Sequence, residues 1–374
     1  MKTLILTGSA GSGHHSVADA YSNALSSIGM DIRIEDSLKM LGRKEYIAGQ
    51  LMYKFTLRYQ GLFDAYHFSQ MRAGGSLGRA ADRASARKAG RALKPFIDWL
   101  GNGIILSVFA TGSAAAGMLR AESNSIRTVA SVTDATATAL WVHQGTDLYL
   151  VGSELTANTV RAYDPNAKIV EIPPAVRPQF FTAPDRDKAR NSLGIPTDSR
   201  CVLVIPSGLG IGPIEQCADV LVRDGWVVLA VAGHNKKLYR RLTKMAEAAG
   251  SDSSKARRGG GKLIPFGFTD RVPELMSACD IVVTASGQTC HEARVVGRPL
   301  LVLDIVPGHG RENMLHQLEL GGARESIPDP SSIRQALISM YDSGMSAGNW
   351  PVDSFKEWTT LLAEIFDREG LALS

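Results

Sequence analysis

Short runs of Val, Ile and Leu recur along the chain, each closed by small or polar turn residues and followed by a segment of helical length. Parallel strands joined by crossover helices produce that alternation, because a strand covered on both faces reads as a continuous apolar run. In the first half the pattern predicts strands at Thr3–Thr7, Asp31–Ile34, Gly103–Val108, Arg127–Val132 and Leu148–Val151. In the second half it predicts Arg200–Ile205, Val227–Ala232, Lys262–Pro265, Ile281–Thr284 and Pro299–Leu303. Between the sets runs Glu171-Ile172-Pro173-Pro174-Ala175-Val176-Arg177-Pro178. Proline fixes φ and has no N–H to donate, so this stretch is expected to be an interdomain linker. The fold class implied is α/β: two doubly wound domains, residues 1–172 and 180–345, facing a central cleft into which ligands enter beyond the carboxyl ends of the strands. Trp358, Leu361, Leu362 and Ile365 fall at helical spacing, which predicts a closing helix within 353–374 that packs back on the first domain.

Composition narrows this picture. A chain of 374 residues suits two domains of about 150–190 residues each, and 44% hydrophobic with 21% charged residues is a globular balance. A net charge of +4 is too weak to imply nucleic acid. The basic residues cluster, however: Arg72, Arg79, Arg83, Arg87, Lys88, Arg91 and Lys94 stand against Asp82 and Asp98 between Gln70 and Leu100, next to the aromatic and basic run Tyr53-Lys54-Phe55. Such a surface suits an anionic membrane face or an anionic substrate; a solvated helix face is the plainer reading. Cys201, Cys217, Cys279 and Cys290 show neither a disulfide framework nor metal-ligand spacing. The first apolar run is too short for a signal peptide and no segment spans a bilayer, so a cytoplasmic location is expected, with any membrane contact peripheral at the inner face of the plasma membrane.

The chemistry-bearing positions lie at strand ends. After the first strand come Gly8-Ser9-Ala10-Gly11-Ser12-Gly13-His14-His15 and then a helix. The glycines allow close backbone approach, and the helix start supplies N–H groups. His14 and His15 stand where a P-loop needs Lys and Ser/Thr. The glycine spacing also misses the dinucleotide pattern, although Glu35 or Asp36 keeps a dinucleotide-dependent oxidoreductase open. An imidazole in a first helical turn is disfavoured as a cation, which suits His14 as a general base; a plain helix cap is its alternative. Asp134, in Val132-Thr133-Asp134, can support His14 as an acid–base partner or cap a following helix. In the second half, five turns in register are candidates to hold a nucleotide diphosphate: Gly208 and Gly210; Gly233, His234 and Asn235; Gly267 and Phe268; Ser286, Gly287, Gln288, Thr289 and Glu292; and His309 with Asn313. Asp185-Arg186-Asp187 has the DxD form of a metal-binding triplet but lies off the strand ends, so no metal is expected there.

Gly11-Ser12-Gly13-His14, Val132-Thr133-Asp134, Trp141-Val142-His143 through Ser153-Glu154, Pro174-Ala175-Val176-Arg177-Pro178, Gly267-Phe268, Ala278-Cys279-Asp280 and Pro307-Gly308 through Asn313 resemble the monogalactosyldiacylglycerol synthases and processive diacylglycerol glucosyltransferases over roughly residues 1–325. The resemblance implies a GT-B fold of two Rossmann-like domains, the first binding acceptor and the second a nucleotide sugar, most simply a UDP-sugar. It implies inversion at the anomeric carbon and no cofactor. His14 would then be the base, Glu292 a ribose ligand and Asn313 a sugar contact, with Gly13, His15 and Phe109 toward a hydroxyl acceptor, lipid or natural product. The chain departs from the pattern at His309, where relatives carry Gln, at Ala285-Ser286-Gly287-Gln288, and at Phe109-Ala110, where lipid-synthesising relatives have histidine. A UDP-sugar 2-epimerase or a non-catalytic nucleotide-sugar binder would share the same architecture.

Overall fold

The computed structural model describes residues 1–9, 11–122, 125–205, 213–251 and 261–371. In chain order the first elements are β1 (Lys2–Thr7), α1 (Gly13–Ser27), β2 (Asp31–Asp36), α2 (Ser37–Met40), α3 (Arg43–Arg58) and α4 (Gln60–Tyr66). A π-helical turn (His67–Arg72) leads to α5 (Ser76–Leu100), β3 (Ile104–Ser107), α6 (Ala110–Glu122), β4 (Arg127–Ser131), β5 (Leu148–Val151), α7 (Glu154–Tyr163), β6 (Ile169–Glu171) and α8 (Pro178–Phe181). There follow α9 (Arg186–Leu193), β7 (Cys201–Ile205), α10 (Ile214–Arg223), β8 (Val227–Val231), α11 (Lys236–Ser251), β9 (Lys262–Phe266), α12 (Val272–Ala278), β10 (Ile281–Ala285) and α13 (Gln288–Val295). The chain continues through β11 (Leu300–Leu303), α14 (His309–Glu319), β12 (Ala323–Ser326), α15 (Pro330–Asp342) and α16 (Phe355–Arg368).

Among the described residues these strands form two parallel six-stranded sheets, ordered β2-β1-β3-β4-β5-β6 and β12-β11-β10-β7-β8-β9. In the first sheet the order turns between β1 and β3, and in the second between β7 and β10. At such switch points neighbouring loops diverge to opposite faces and leave a crevice at the carboxyl ends. The expected strands are present, and two more appear. β6 and β12 close one edge of each sheet; both are short and largely polar or half-exposed, so neither shows an apolar run. β6 also corrects the start of the linker: Glu171 pairs with Val151, and the Ile172 amide donates to the Val151 carbonyl at 2.9 Å.

Two compact units divide the chain: Met1–Pro178 with Pro307–Glu312 and Pro351–Ser374, and Gln179–Val306 with Asn313–Trp350. In unit 1, Leu4 and Leu6 of β1 pack with Ile105 against Ala89 and Leu93 of α5 and Ala115, Ala116 and Leu119 of α6. The β4–β5 half has its own cluster with Ala157 and Val160 of α7. α16 lies on α1, where Trp358 meets Tyr21 edge-on at 5.3 Å and its indole N–H donates to the Pro173 carbonyl at 2.7 Å. In unit 2, Val202, Val204, Val228, Ala230, Val283 and Leu301 form a core with Ile333 and Leu337 of α15.

A buried cation stitches the lower part of unit 2. Arg190 on α9 is fully buried, donating to the carbonyls of Ala278, Pro196, Thr197 and Ser199 and to the Asp280 carboxylate at 2.9 Å. Asp280 also accepts from the Cys201 amide and from Arg186. Every group is partnered, which is the condition for tolerating charge in a core. Within the Asp185-Arg186-Asp187 triplet, Asp185 caps α9 by accepting from the Lys188 amide at 2.9 Å, and Arg186 serves Asp280.

Candidate functional site

β1 ends at Thr7 and α1 begins at Gly13, so His14 sits in a first helical turn at the switch point of the first sheet. The neighbouring strand β3 ends at Ser107, and the next carbonyl, Val108, accepts from His14 Nδ1–H at 2.9 Å. A carbonyl can only accept, so this contact fixes the neutral tautomer and leaves the lone pair on Nε2. Thr133 Oγ1 lies 3.4 Å from the same Nδ1, and the Phe109 ring stands edge-on to the imidazole at 4.8 Å. Burial holds the His14 pKa below the ordinary histidine value. The Asp134 carboxylate and the Val108 bond pull it up by less, and His309 and His15 push it down further. At neutral pH the ring is an uncharged proton acceptor. Gly8 makes the arrangement possible, since a Cβ there would come within 2.5 Å of the Phe109 ring.

The Val108 carbonyl orients the imidazole. The Asp134 carboxylate accepts from the Trp141 indole N–H at 3.2 Å and acts on His14 through its charge. It caps no helix, because β4 is followed by turns up to β5. His15 is turned toward the ends of β1 and β2, with Nε2 3.1 Å from Ser9 Oγ and Nδ1 3.4 Å from Thr7 Oγ1. Asp36 receives the Ser9 hydroxyl and caps α2 through the Leu38 and Lys39 amides. That carboxylate, one of the two a dinucleotide ribose could use, is already engaged.

A second constellation in unit 1 escaped the sequence reading. Glu312 accepts from Thr136 Oγ1 at 2.7 Å, from Arg72 Nε at 3.2 Å and from His67 Nε2 at 3.4 Å, with His67 wholly buried. Arg72 also donates to the Ala137 carbonyl, so its guanidinium is engaged within unit 1. Others of the basic cluster are engaged too: Arg79 with the Gly74 carbonyl, Lys88 with Glu45, Lys94 with Glu122 at 3.0 Å. Arg83, Arg87 and Arg91 remain an exposed stripe at intervals of four along α5.

In unit 2 the candidates gather at the ends of β8, β9 and β10. His234 stacks on Phe268 with centroids 4.2 Å apart and planes 16° from parallel, and Phe268 is 66% exposed. Gly233 takes φ +54, a conformation that favours glycine, and Gly267 follows β9. Asn235 is spent as a cap, accepting from the Leu238 amide at 3.0 Å. After β10, at the second switch point, Ser286 and Gly287 lead into α13, which starts with Gln288 and Thr289 and carries Glu292 buried at 5% exposure. Arg294 anchors this helix from beneath through Gln317 and the carbonyls of Ala347 and Gly321. Gly208 and Gly210 lie outside the described residues. Asn313 belongs to unit 2, whereas His309 belongs to unit 1.

Among the described residues no cluster of His, Cys, Asp and Glu has the form of a metal site, and no helix is long and apolar enough to cross a membrane. No protein-family model matches the chain. It is 27% identical over 198 residues to the processive diacylglycerol beta-glucosyltransferase of Bacillus licheniformis, covering 51% of this chain and 49% of that protein. It is 28% identical over 218 residues to a probable chloroplastic monogalactosyldiacylglycerol synthase of Nicotiana tabacum, covering 54% and 37%. The chain thus spans about half or less of the length of these relatives. Among solved structures, sucrose-phosphate synthase from Thermosynechococcus elongatus superposes with a TM-score of 0.59 at 12% identity, over 98% of both chains. Anabaena HepE, solved with UDP and glucose, superposes with a TM-score of 0.54 at 14% identity, over 98% of this chain and all of that one. The chain has the GT-B fold of two Rossmann-like domains, and across about half of its length it is similar in sequence to the glycosyltransferases that act on diacylglycerol.

Proposed function

We propose that this chain is an inverting, metal-independent glycosyltransferase that moves a hexose from a nucleotide sugar, a UDP-sugar in the first instance, to the hydroxyl of a lipid-like or other small-molecule acceptor. The observation that carries the reading is His14: an uncharged imidazole at the switch point of the first sheet, its Nδ1 proton spent on Val108 and its Nε2 left to accept. In the reaction, Nε2 takes the acceptor's hydroxyl proton as that oxygen bonds to the anomeric carbon. The bond from that carbon to the diphosphate breaks, and the nucleoside diphosphate leaves with the electron pair. One displacement inverts the centre. A UDP-hexose carries its sugar α-linked, so a β product of the kind named for the Bacillus relative fits this course.

Unit 2 would hold the donor. The His234–Phe268 pair offers a stacking surface for a nucleobase, the positive end of α13 receives diphosphate charge, and Glu292 accepts from ribose hydroxyls. Charge stabilisation by a helix terminus is the ground for proposing that no divalent ion is required. The Arg83, Arg87 and Arg91 stripe would bring the protein to an anionic bilayer from the cytoplasmic side, consistent with diacylglycerol as the acceptor of the relatives.

The test is to incubate the full chain with UDP-glucose or UDP-galactose and diacylglycerol-containing vesicles, with and without EDTA. Transfer that survives EDTA and yields a β-anomer by NMR is expected. His14→Ala should lower turnover by about 10²–10⁴-fold with donor Kd nearly intact. Retention of configuration, a requirement for metal, or release of free UDP without any acceptor would each overturn the proposal.

A further inference from the structure

β3 passes into α6 through Ser107-Val108-Phe109, and this short turn touches His14 twice. The Val108 carbonyl holds Nδ1–H at 2.9 Å, and the Phe109 ring stands edge-on to the imidazole, centroids 4.8 Å apart and planes at 76°. The ring is held in that place. Gly8, just after β1, lies so close that a Cβ there would come within 2.5–2.8 Å of three ring carbons. Ser107 ties the turn from within: its hydroxyl donates to the Phe109 carbonyl at 2.7 Å and accepts from the Phe109 amide at 3.3 Å. Gly112 leaves room for that hydroxyl, since a Cβ would meet Ser107 Oγ at 2.5 Å.

The position is a poor one for phenylalanine on local grounds. α6 begins at Ala110, and the Ser113 amide donates to the Phe109 carbonyl at 3.0 Å, so Phe109 occupies the helix cap. Serine, threonine, asparagine or aspartate there would accept a further helix amide, which a phenyl ring does not. Nor is the ring withdrawn into the core: it is half-buried, like the imidazole beside it. The other groups that act on His14, by hydrogen bond or by charge, are the Val108 carbonyl, Thr133, Asp134, His15 and His309. All of them are polar, yet burial is the largest influence on the His14 proton. Phe109 supplies an apolar cover in direct contact with the ring.

We propose that Phe109 is a positioning residue that keeps water from His14, so that the imidazole takes its proton from an acceptor hydroxyl and the sugar is transferred instead of hydrolysed. The inference rests on the transferase reading of His14 and adds to it the choice of nucleophile. Water in the acceptor's place would react by the same displacement. Its oxygen would bond to the anomeric carbon, its proton would pass to Nε2, and the bond to the diphosphate would break, giving free hexose and nucleoside diphosphate. So small a nucleophile needs only a gap beside the base, and a ring fixed between Gly8 and the imidazole closes one.

The experiment compares wild type, Phe109→Ala and Phe109→Leu as full chains at about pH 8, where an ordinary imidazole is uncharged. Free glucose and glycolipid are measured together from UDP-glucose and diacylglycerol-containing vesicles. Histidine ring protons are titrated by NMR on the same samples without substrate, with His14 assigned from the spectrum of His14→Ala. Phe109→Ala should raise the ratio of hydrolysis to transfer by about tenfold or more with donor Kd unchanged. It should also move the His14 titration up toward the ordinary histidine value, because a ring open to water is protonated more readily. Phe109→Leu keeps apolar bulk, so it should show both changes to a smaller degree, and it carries the test if Phe109→Ala melts early. An unchanged ratio overturns the role of Phe109 even if overall activity falls, and so does a His14 titration that stays in place in both variants. A titration that moves in a protein transferring no sugar keeps the shield and removes the transferase reading instead.

Discussion

At the scale of single residues, most of what distinguishes His14 from an ordinary helix-start histidine comes from its neighbours. Its pKa is lowered, so the proton-accepting form persists below the usual histidine range, and the acid limb of kcat/KM should fall below pH 6.5, the ordinary histidine value. Because the Asp134 carboxylate opposes that lowering, Asp134→Asn should move the limb to still lower pH; a shift upward would contradict the assigned electrostatics. The same linkage bears on stability. A group with a depressed folded-state pKa contributes stability above its unfolded value, and that contribution is lost as pH falls through the folded value. Gly8 supplies a steric test. Gly8→Ala puts a methyl within 2.5 Å of the Phe109 ring, so the ring must leave its edge-on place at His14. Overpacking of this kind costs about 1–3 kcal/mol, and kcat should fall while donor Kd holds; chemical denaturation and steady-state kinetics check the two parts.

Among the elements, the short β-strands and their ends carry the chemistry, and the helices fix them. Asp280 shows how sharply one side chain can matter: it satisfies a fully buried Arg190 and the Cys201 amide that starts β7. Asp280→Ala should cost about 3–5 kcal/mol because it strands a buried cation, whereas Asp185→Ala should cost only about 1 kcal/mol as a lost cap. Urea melts separate these outcomes. The basic stripe on α5 belongs to this scale as well. Reversing Arg83, Arg87 and Arg91 to Glu should abolish sedimentation with anionic vesicles, and unchanged binding would return the stripe to the role of a solvated face. The strands with continuous apolar runs were legible in the sequence because parallel pairing buries both faces of Leu4-Ile5-Leu6 or Val227-Val228-Leu229. β6 and β12 were not, since an edge strand such as Ala323-Arg324-Glu325-Ser326 is polar by the demands of its position. The His14 loop could be read from its glycines and its place after a strand. The Glu312 constellation could not, because Arg72 and Glu312 lie 240 positions apart and no local pattern joins them.

For the whole molecule, each unit has its own core, so damage to one should leave the other's ligand chemistry intact. Trp358 is the clearest probe. Buried against Tyr21 and hydrogen-bonded to Pro173, it fastens α16 to unit 1. Trp358→Ala should destabilise by about 3–5 kcal/mol, visible in calorimetry as an earlier transition. Nucleotide-sugar binding by calorimetry below that transition should be unchanged, and a parallel loss of donor affinity would count against independent units.

Unit 1 is drawn from three stretches of chain, and the third, with α16, is the last to be made. A ribosome adding about 5–20 residues per second needs on the order of ten seconds or more to pass from the end of the first stretch to the start of the third. Throughout that interval the face of α1 destined for Trp358 has no covering and is open to chaperones or to a second nascent chain. Slowing translation late in the message should therefore lower the soluble yield of this protein more than the same delay placed early.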